Sequence, residues 1–244
     1  MSSAPVLDHR SGPDTWDPRS VEKFPIRRLT AEVPVDASRS YWWSPGMAKL
    51  DQSAATSRMP AGPWGHCGGF GAANEAQASP IRVKGIDNDW GHDFYYEIKD
   101  RRLDPWGRED GTSSLAVAKL GVIRNLWDSY WWVDEPEDIV RGLSVGPMTF
   151  GVVWREGQFT PDRYGFIEPT GAENGGHFVC ANGYSPNYRG RGPTVRITQS
   201  WGRDHGVNGN VYLRLPHLVD LVFEQQGEGF VPVGRDFPVP TAAV

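Results

Sequence analysis

Four side chains in this sequence are of types that could act together on an acyl group: the thiol of Cys67, the imidazole of His177 and the amides of Gln52 and Gln199. A thiolate attacks carbonyl carbon well, but a thiol is mostly protonated at neutral pH and needs a nearby base or a helix N-terminus to ionise. Cys67 sits in Gly65-His66-Cys67-Gly68-Gly69-Phe70-Gly71-Ala72-Ala73, where small and helix-forming residues run on to Ala78 before Pro80 stops them. The pattern predicts a helix that Cys67 opens. His177 stands near the start of one β-rich run, Gly175–Tyr184, and Gln199 at the end of another, Ile197-Thr-Gln199-Ser-Trp201-Gly202. A Gly/Pro/Arg-rich loop joins the runs, which reads as a hairpin-like strand pair that brings His177 and Gln199 together. An amide oxygen accepting from one ring nitrogen fixes the tautomer and leaves the other nitrogen as the base.

In their order along the chain, Gln52, Cys67, Gly175-Gly176-His177 and Gln199-Ser200-Trp201-Gly202 resemble the papain-like cysteine peptidases, especially the compact, divergent members of bacteriophages and bacteria. In that family a Gln precedes a Cys that opens a helix, Gly-Gly-His enters a strand, and Asn-Ser-Trp-Gly follows. The resemblance covers about Trp42 to Val233. It implies an α+β, two-lobe fold, with a helical lobe headed by Cys67, an antiparallel β-barrel-like lobe carrying His177, and the site in the cleft between. It implies peptide hydrolysis through an acyl-enzyme thioester, with Cys67 as nucleophile, His177 as base and Gln199 in the place of the orienting Asn. The Cys67 backbone N–H and the Gln52 side chain would form the oxyanion hole, and Trp201 would cover the His177–Gln199 contact. Gly68, where relatives carry an aromatic residue, and Gly111, in a turn comparable to one that pairs with substrate backbone, are expected to line the site. No cofactor or metal is implied. Two departures stand out: Gln199 is one methylene longer than Asn, and 15 positions separate Gln52 from Cys67, more than in relatives, so Ser57-Arg58-Met59-Pro60 is expected to loop out.

The remaining elements follow from local pattern. Gly68 and Gly69 each cost about 1 kcal/mol relative to Ala in a helix, so close backbone approach to a ligand is the expected reason for them. Asp110-Gly111-Thr112-Ser113 caps a second helix, Leu115–Arg124, and Glu135-Pro136-Glu137-Asp138 opens a third, its acids serving the helix dipole. Gly146–Trp154 reads as a strand, and Tyr212–Val233 as closing strands with a helical turn near Leu218. Residues 1–41 read as an extended, Pro-containing arm, 42–235 as the peptidase domain and 236–244 as a loose tail.

Composition limits the partners. A net charge of −5 and a pI near 5.7 argue against nucleic acid, and Arg189 and Arg191 read as a solvated hairpin loop. The expected partner is a polypeptide substrate, with virion or host proteins as further candidates. Two cysteines make no disulfide framework, and Trp64 stands where animal and plant relatives have the cysteine of a disulfide, which fits cytoplasmic synthesis. No apolar run near 18 residues and no signal-like segment in Met1–Arg28 point to a membrane span or export; a phage-encoded chain could be virion-associated. Cys180, three residues after His177, faces the opposite side of a strand, so the two should not share a metal ion. His66 reads as a loop residue, and Asp87, Asp89 and Asp93 lack calcium-loop spacing. Two other functions stay open: a peptidase or amidase on peptidoglycan cross-links using the same triad, and a non-catalytic virion protein that keeps the fold.

Overall fold

The computed structural model describes residues 35–234 apart from 45, 81, 109 and 110. The expected tail, most of the expected arm and Asp110 of the expected cap therefore lie outside the described residues. The chain forms one mixed structure in which helices flank both faces of an antiparallel sheet. β1 (Tyr41–Trp42) is followed by three helices, α1 (Cys67–Ala76), α2 (Asn88–Asp100) and α3 (Ser114–Ile123). Then come β2 (Ser129–Trp132), α4 (Glu137–Val145), β3 (Met148–Arg155), β4 (Glu173–Ser185), β5 (Thr194–Thr198), β6 (Asn210–Arg214), α5 (Leu215–Phe223) and β7 (Glu228–Val233).

The sheet order is β2-β7-β3-β4-β5-β6, all antiparallel, with β1 added to β4 beyond the end of β3. Among the described residues β2 and β6 do not pair with each other, so the sheet stays open. The expected barrel-like closure is not seen. Alternation along the central strands sends successive side chains to opposite faces. Phe178 and Phe230 pack with Cys67, Ala72, Phe94, Leu115 and Trp127 of the helical side. Their neighbours Val179, Ala181 and Val231 pack with Ile139, Leu143, Leu218 and Leu221 of α4 and α5.

Capping explains where the helices begin. Asp87 accepts from Trp90 N–H at 2.8 Å at the head of α2, and Ser113 accepts from Ala116 N–H at 3.1 Å at the head of α3. Before α4, the Asp138 carboxylate accepts from the N–H groups of Asp134 and Glu135 at 3.0 and 3.2 Å, so that acid is structural as expected. α2 was not legible as a helix, because its opening reads as scattered acids and its apolar residues Trp90, Phe94 and Ile98 are spaced among charges. A buried ion pair ties the end of α2 to the turn before α3: Lys99 Nζ lies 3.0 Å from Asp104 and also donates to the Gly111 carbonyl, while Thr112 donates to Asp104 at 2.6 Å.

The glycines of α1 serve protein packing. A Cβ on Gly69 would lie 2.1 Å from the Gly91 carbonyl oxygen of α2, and one on Gly71 would lie 2.3 Å from the Phe178 ring of β4. α1 is thus pressed between α2 and the sheet at distances that side chains do not permit, and ligand approach is not what these two positions require. Gly69→Ala sets two effects against each other: a helix-propensity gain of about 1 kcal/mol and an overlap with backbone that cannot swing away. The overlap is expected to win, with a net loss of about 1–3 kcal/mol, read as a lower midpoint in urea unfolding; a variant as stable as the parent would show that the crossing is loose.

Candidate active site

His177 lies on β4 with no measurable exposure. Past the last β4–β5 pair, Cys180 with Thr198, Gln199 leaves the ladder and its Oε1 meets His177 Nε2 at 2.9 Å. The amide oxygen accepts, so Nε2 carries the hydrogen and Nδ1 holds the ring's lone pair in the neutral form. The hairpin-like pairing read from sequence thus joins these two residues. Trp201 stacks on the imidazole, with centroids 4.7 Å apart and planes 15° from parallel. The Trp154 ring meets it edge-on at 4.8 Å. Phe159 stacks behind Trp201 at 5.6 Å and His205 closes a further edge at 4.7 Å. Burial pushes the His205 imidazole down to about 4, so it stays neutral and completes an apolar wall.

Cys67 is the first residue of α1 and is fully buried. One turn later, about 6 Å along the axis, Gly71 touches the ring of Phe178, the residue after His177. The helix that Cys67 opens therefore packs directly on the strand that carries His177. Neither Cys67 nor Cys180 is in a disulfide. Cys180 is buried in β4.

Gln52 is fully buried and links the two sides. Its backbone N–H donates to Ser200 O at 2.9 Å, and its Oε1 accepts from Ser200 Oγ at 2.8 Å. Its Nε2 donates to the carbonyl of Trp64, three residues before Cys67, at 2.7 Å. The long segment between Gln52 and Cys67 does loop out, but it is tethered: Thr56 and Ser57 hydroxyls donate to Asp89, and Arg58 pairs with Asp93 at 2.7 Å.

The expected site-lining glycines are held within the helical half. A Cβ on Gly68 would lie 2.2 Å from Thr112 Cγ2. Gly111 accepts from Lys99 through its carbonyl and donates its N–H to Tyr95 Oη at 3.2 Å, so both of its backbone polar groups are used there. Arg189 and Arg191 are exposed, as expected of a solvated loop, and each also lies near aromatic rings: Arg191 sits 4.3 Å from the Phe166 centroid and Arg189 5.1 Å from that of Tyr164. His66, expected in a loop, is a fully buried helix-cap residue. Trp154, Phe159 and His205 were not singled out from sequence, because ring contacts between separate strands and turns leave no spacing signal. Among the described residues no helix is long and apolar enough to cross a membrane.

No family model matches the chain, and no curated protein matches it in sequence. Solved structures do. The chain is similar to xylellain, a cysteine protease from Xylella fastidiosa, at 18% identity and a TM-score of 0.54, over 96% of this chain and 98% of that one. It is also similar to the bromelain protease from Ananas comosus in complex with the E64 inhibitor, at 16% identity and a TM-score of 0.49, over 83% of this chain and all of the other. The chain has a papain-like fold, a mixture of helices and antiparallel sheet.

Proposed function

We propose that this protein is a cysteine peptidase that cleaves peptide bonds by acyl transfer to Cys67. The observation that carries the reading is the buried His177–Gln199 contact of 2.9 Å under the Trp201 ring, beside the helix that Cys67 opens. A histidine fixed in one tautomer and roofed by an aromatic ring is what a nucleophile–base–orienter set requires. The papain-like fold is consistent with that arrangement.

In this mechanism Nδ1 of His177 takes the Cys67 proton, and the thiolate sulfur attacks the carbonyl carbon of the scissile bond. The Cys67 backbone N–H and the Gln52 amide stabilise the developing oxyanion, at about 3 kcal/mol per donor. The tetrahedral intermediate collapses as Nδ1 gives its proton to the amine, which leaves, and a thioester remains. Water then gives a proton to Nδ1, its oxygen attacks the thioester carbonyl, and collapse returns the proton to sulfur as the acid departs. Gln199 keeps Nε2 protonated and Nδ1 aimed throughout, while Trp201, Trp154 and Phe159 exclude bulk water from the ring.

Three measurements test this. Cys67 should be alkylated by iodoacetamide well below pH 8, faster than a solution thiol, and Cys67→Ala should abolish cleavage of an unfolded protein substrate; alkylation no faster than that of glutathione, with no peptide cut, would reject the proposal. Gln199→Ala should lower kcat about 10- to 100-fold, the scale of a misaimed base, with KM little changed. A Gln199→Ala enzyme with the parent kcat would remove the orienting role.

A further inference from the structure

His66, immediately before Cys67, is used by no step above, yet its surroundings are more closely specified than those of an ordinary cap residue. It is the N-cap of α1 and its carbonyl accepts from Phe70 N–H at 3.1 Å, but its side chain makes no capping bond. The ring lies nearly parallel to Tyr95 at 4.1 Å and to Trp64 at 5.8 Å, with Tyr96 edge-on at 4.9 Å. Its Nδ1 is 2.7 Å from Nδ1 of His92 on α2, and both residues are buried. Two identical nitrogens at that separation need one hydrogen between them. One imidazole must be the Nδ1–H tautomer and the other the Nε2–H tautomer, and the pair can hold a single additional proton. A second would set two N–H groups against each other.

We propose that the His66–His92 pair is a positioning device for Cys67, setting the angle at which the chain enters α1 and releasing it when both rings become protonated. The inference rests on the peptidase reading of Cys67. An ordinary Ser, Thr or Asp cap would place its side chain over the first-turn N–H groups, at the mouth of the helix where a substrate carbonyl must approach. Fixing the cap residue sideways through α2 keeps its side chain off those N–H groups. It also explains why α1 and α2 cross at paired glycines, Gly69 and Gly91, since that closeness lets residues 66 and 92 meet.

The surroundings set the direction of the pH response. His66 faces Lys99 and Arg108 besides His92, and burial first, then these cations, push it down to about 3. His92 faces Asp89 and Asp93 of its own helix and Arg58 of the tethered loop, and burial outweighs the two carboxylates to lower it as well. The rings of Tyr95 and Tyr96 also face His66. Both imidazoles are therefore neutral in the native state near neutrality. The unfolded chain binds more protons than the folded one below the ordinary histidine value, so stability from this pair is complete above about pH 6.5 and is lost as pH falls toward 3.

The test begins with the intact protein. Long-range 15N–1H spectra of the imidazoles at pH 7.5 should show one ring as the Nδ1–H and the other as the Nε2–H tautomer; two Nε2–H rings would overturn the proposal. His92→Gln keeps a group able to bond Nδ1 without titrating, whereas His92→Phe fills the space without a bond. Iodoacetamide should modify Cys67 of His92→Gln within threefold of the parent rate at pH 7.5 and of His92→Phe at least tenfold more slowly, with circular dichroism confirming the fold. Equal rates in all three would reduce the pair to packing. Should His92→Phe not fold, the acid limb of alkylation decides: it should move to lower pH in His92→Gln, and an unmoved limb would overturn the switch. Parent Cys67 reacting no faster than glutathione would instead defeat the peptidase reading, and the tautomer spectra would then judge the imidazole pair by themselves.

Discussion

The arrangement depends on the need of one buried amide for partners. Gln52 is out of contact with solvent, and a buried amide left unbonded costs about 1–3 kcal/mol per group. Its carbonyl oxygen takes Ser200, next to Gln199, and its nitrogen takes Trp64, just before Cys67. Satisfying this side chain brings the end of β5 and the head of α1 to the same place. The residue proposed for oxyanion stabilisation is therefore also a tie between the strand side and the helix side.

Around that tie the protein relies on contact distance more than on charge. α1 is held by glycines against α2 and β4, and His177 by rings on several sides. A helix with Cβ atoms at Gly69 and Gly71 would stand away from α2 and Phe178, and Cys67 would move with it. Phe70 and Gly91 interlock at the same crossing. The energetic weight thus sits in packing that cannot relax in small steps, which suits a site where atoms must meet within tenths of an ångström.

Much of this was legible in the chain. Cys67 before a run of small residues announced a helix, and observed α1 begins at that residue. The alternating runs around His177 and Gln199 announced paired strands, and β4 and β5 pair antiparallel. What escaped had physical reasons. α2 opens on Asp87, Asn88 and Asp89, residues that serve caps and turns equally well, so its apolar face was lost among charges. The glycines of α1 read as room for a ligand because sequence gives no sign of which neighbour approaches; here it is Gly91, Tyr95 and Phe178. His66 read as a loop residue because its partner, His92, is 26 positions away. Trp154 and His205 joined the wall around His177 through contacts that no local pattern encodes.

The helical half shows how such a body is kept together. The link from α2 to the turn before α3 is a buried lysine held by an aspartate and a carbonyl, and no bond between sulfur atoms crosses the molecule. Its architecture therefore needs no oxidant to mature and loses no strut to a reductant. Thiol buffers that would unpick a cross-linked scaffold can keep Cys67, the proposed nucleophile, reduced here at no structural cost.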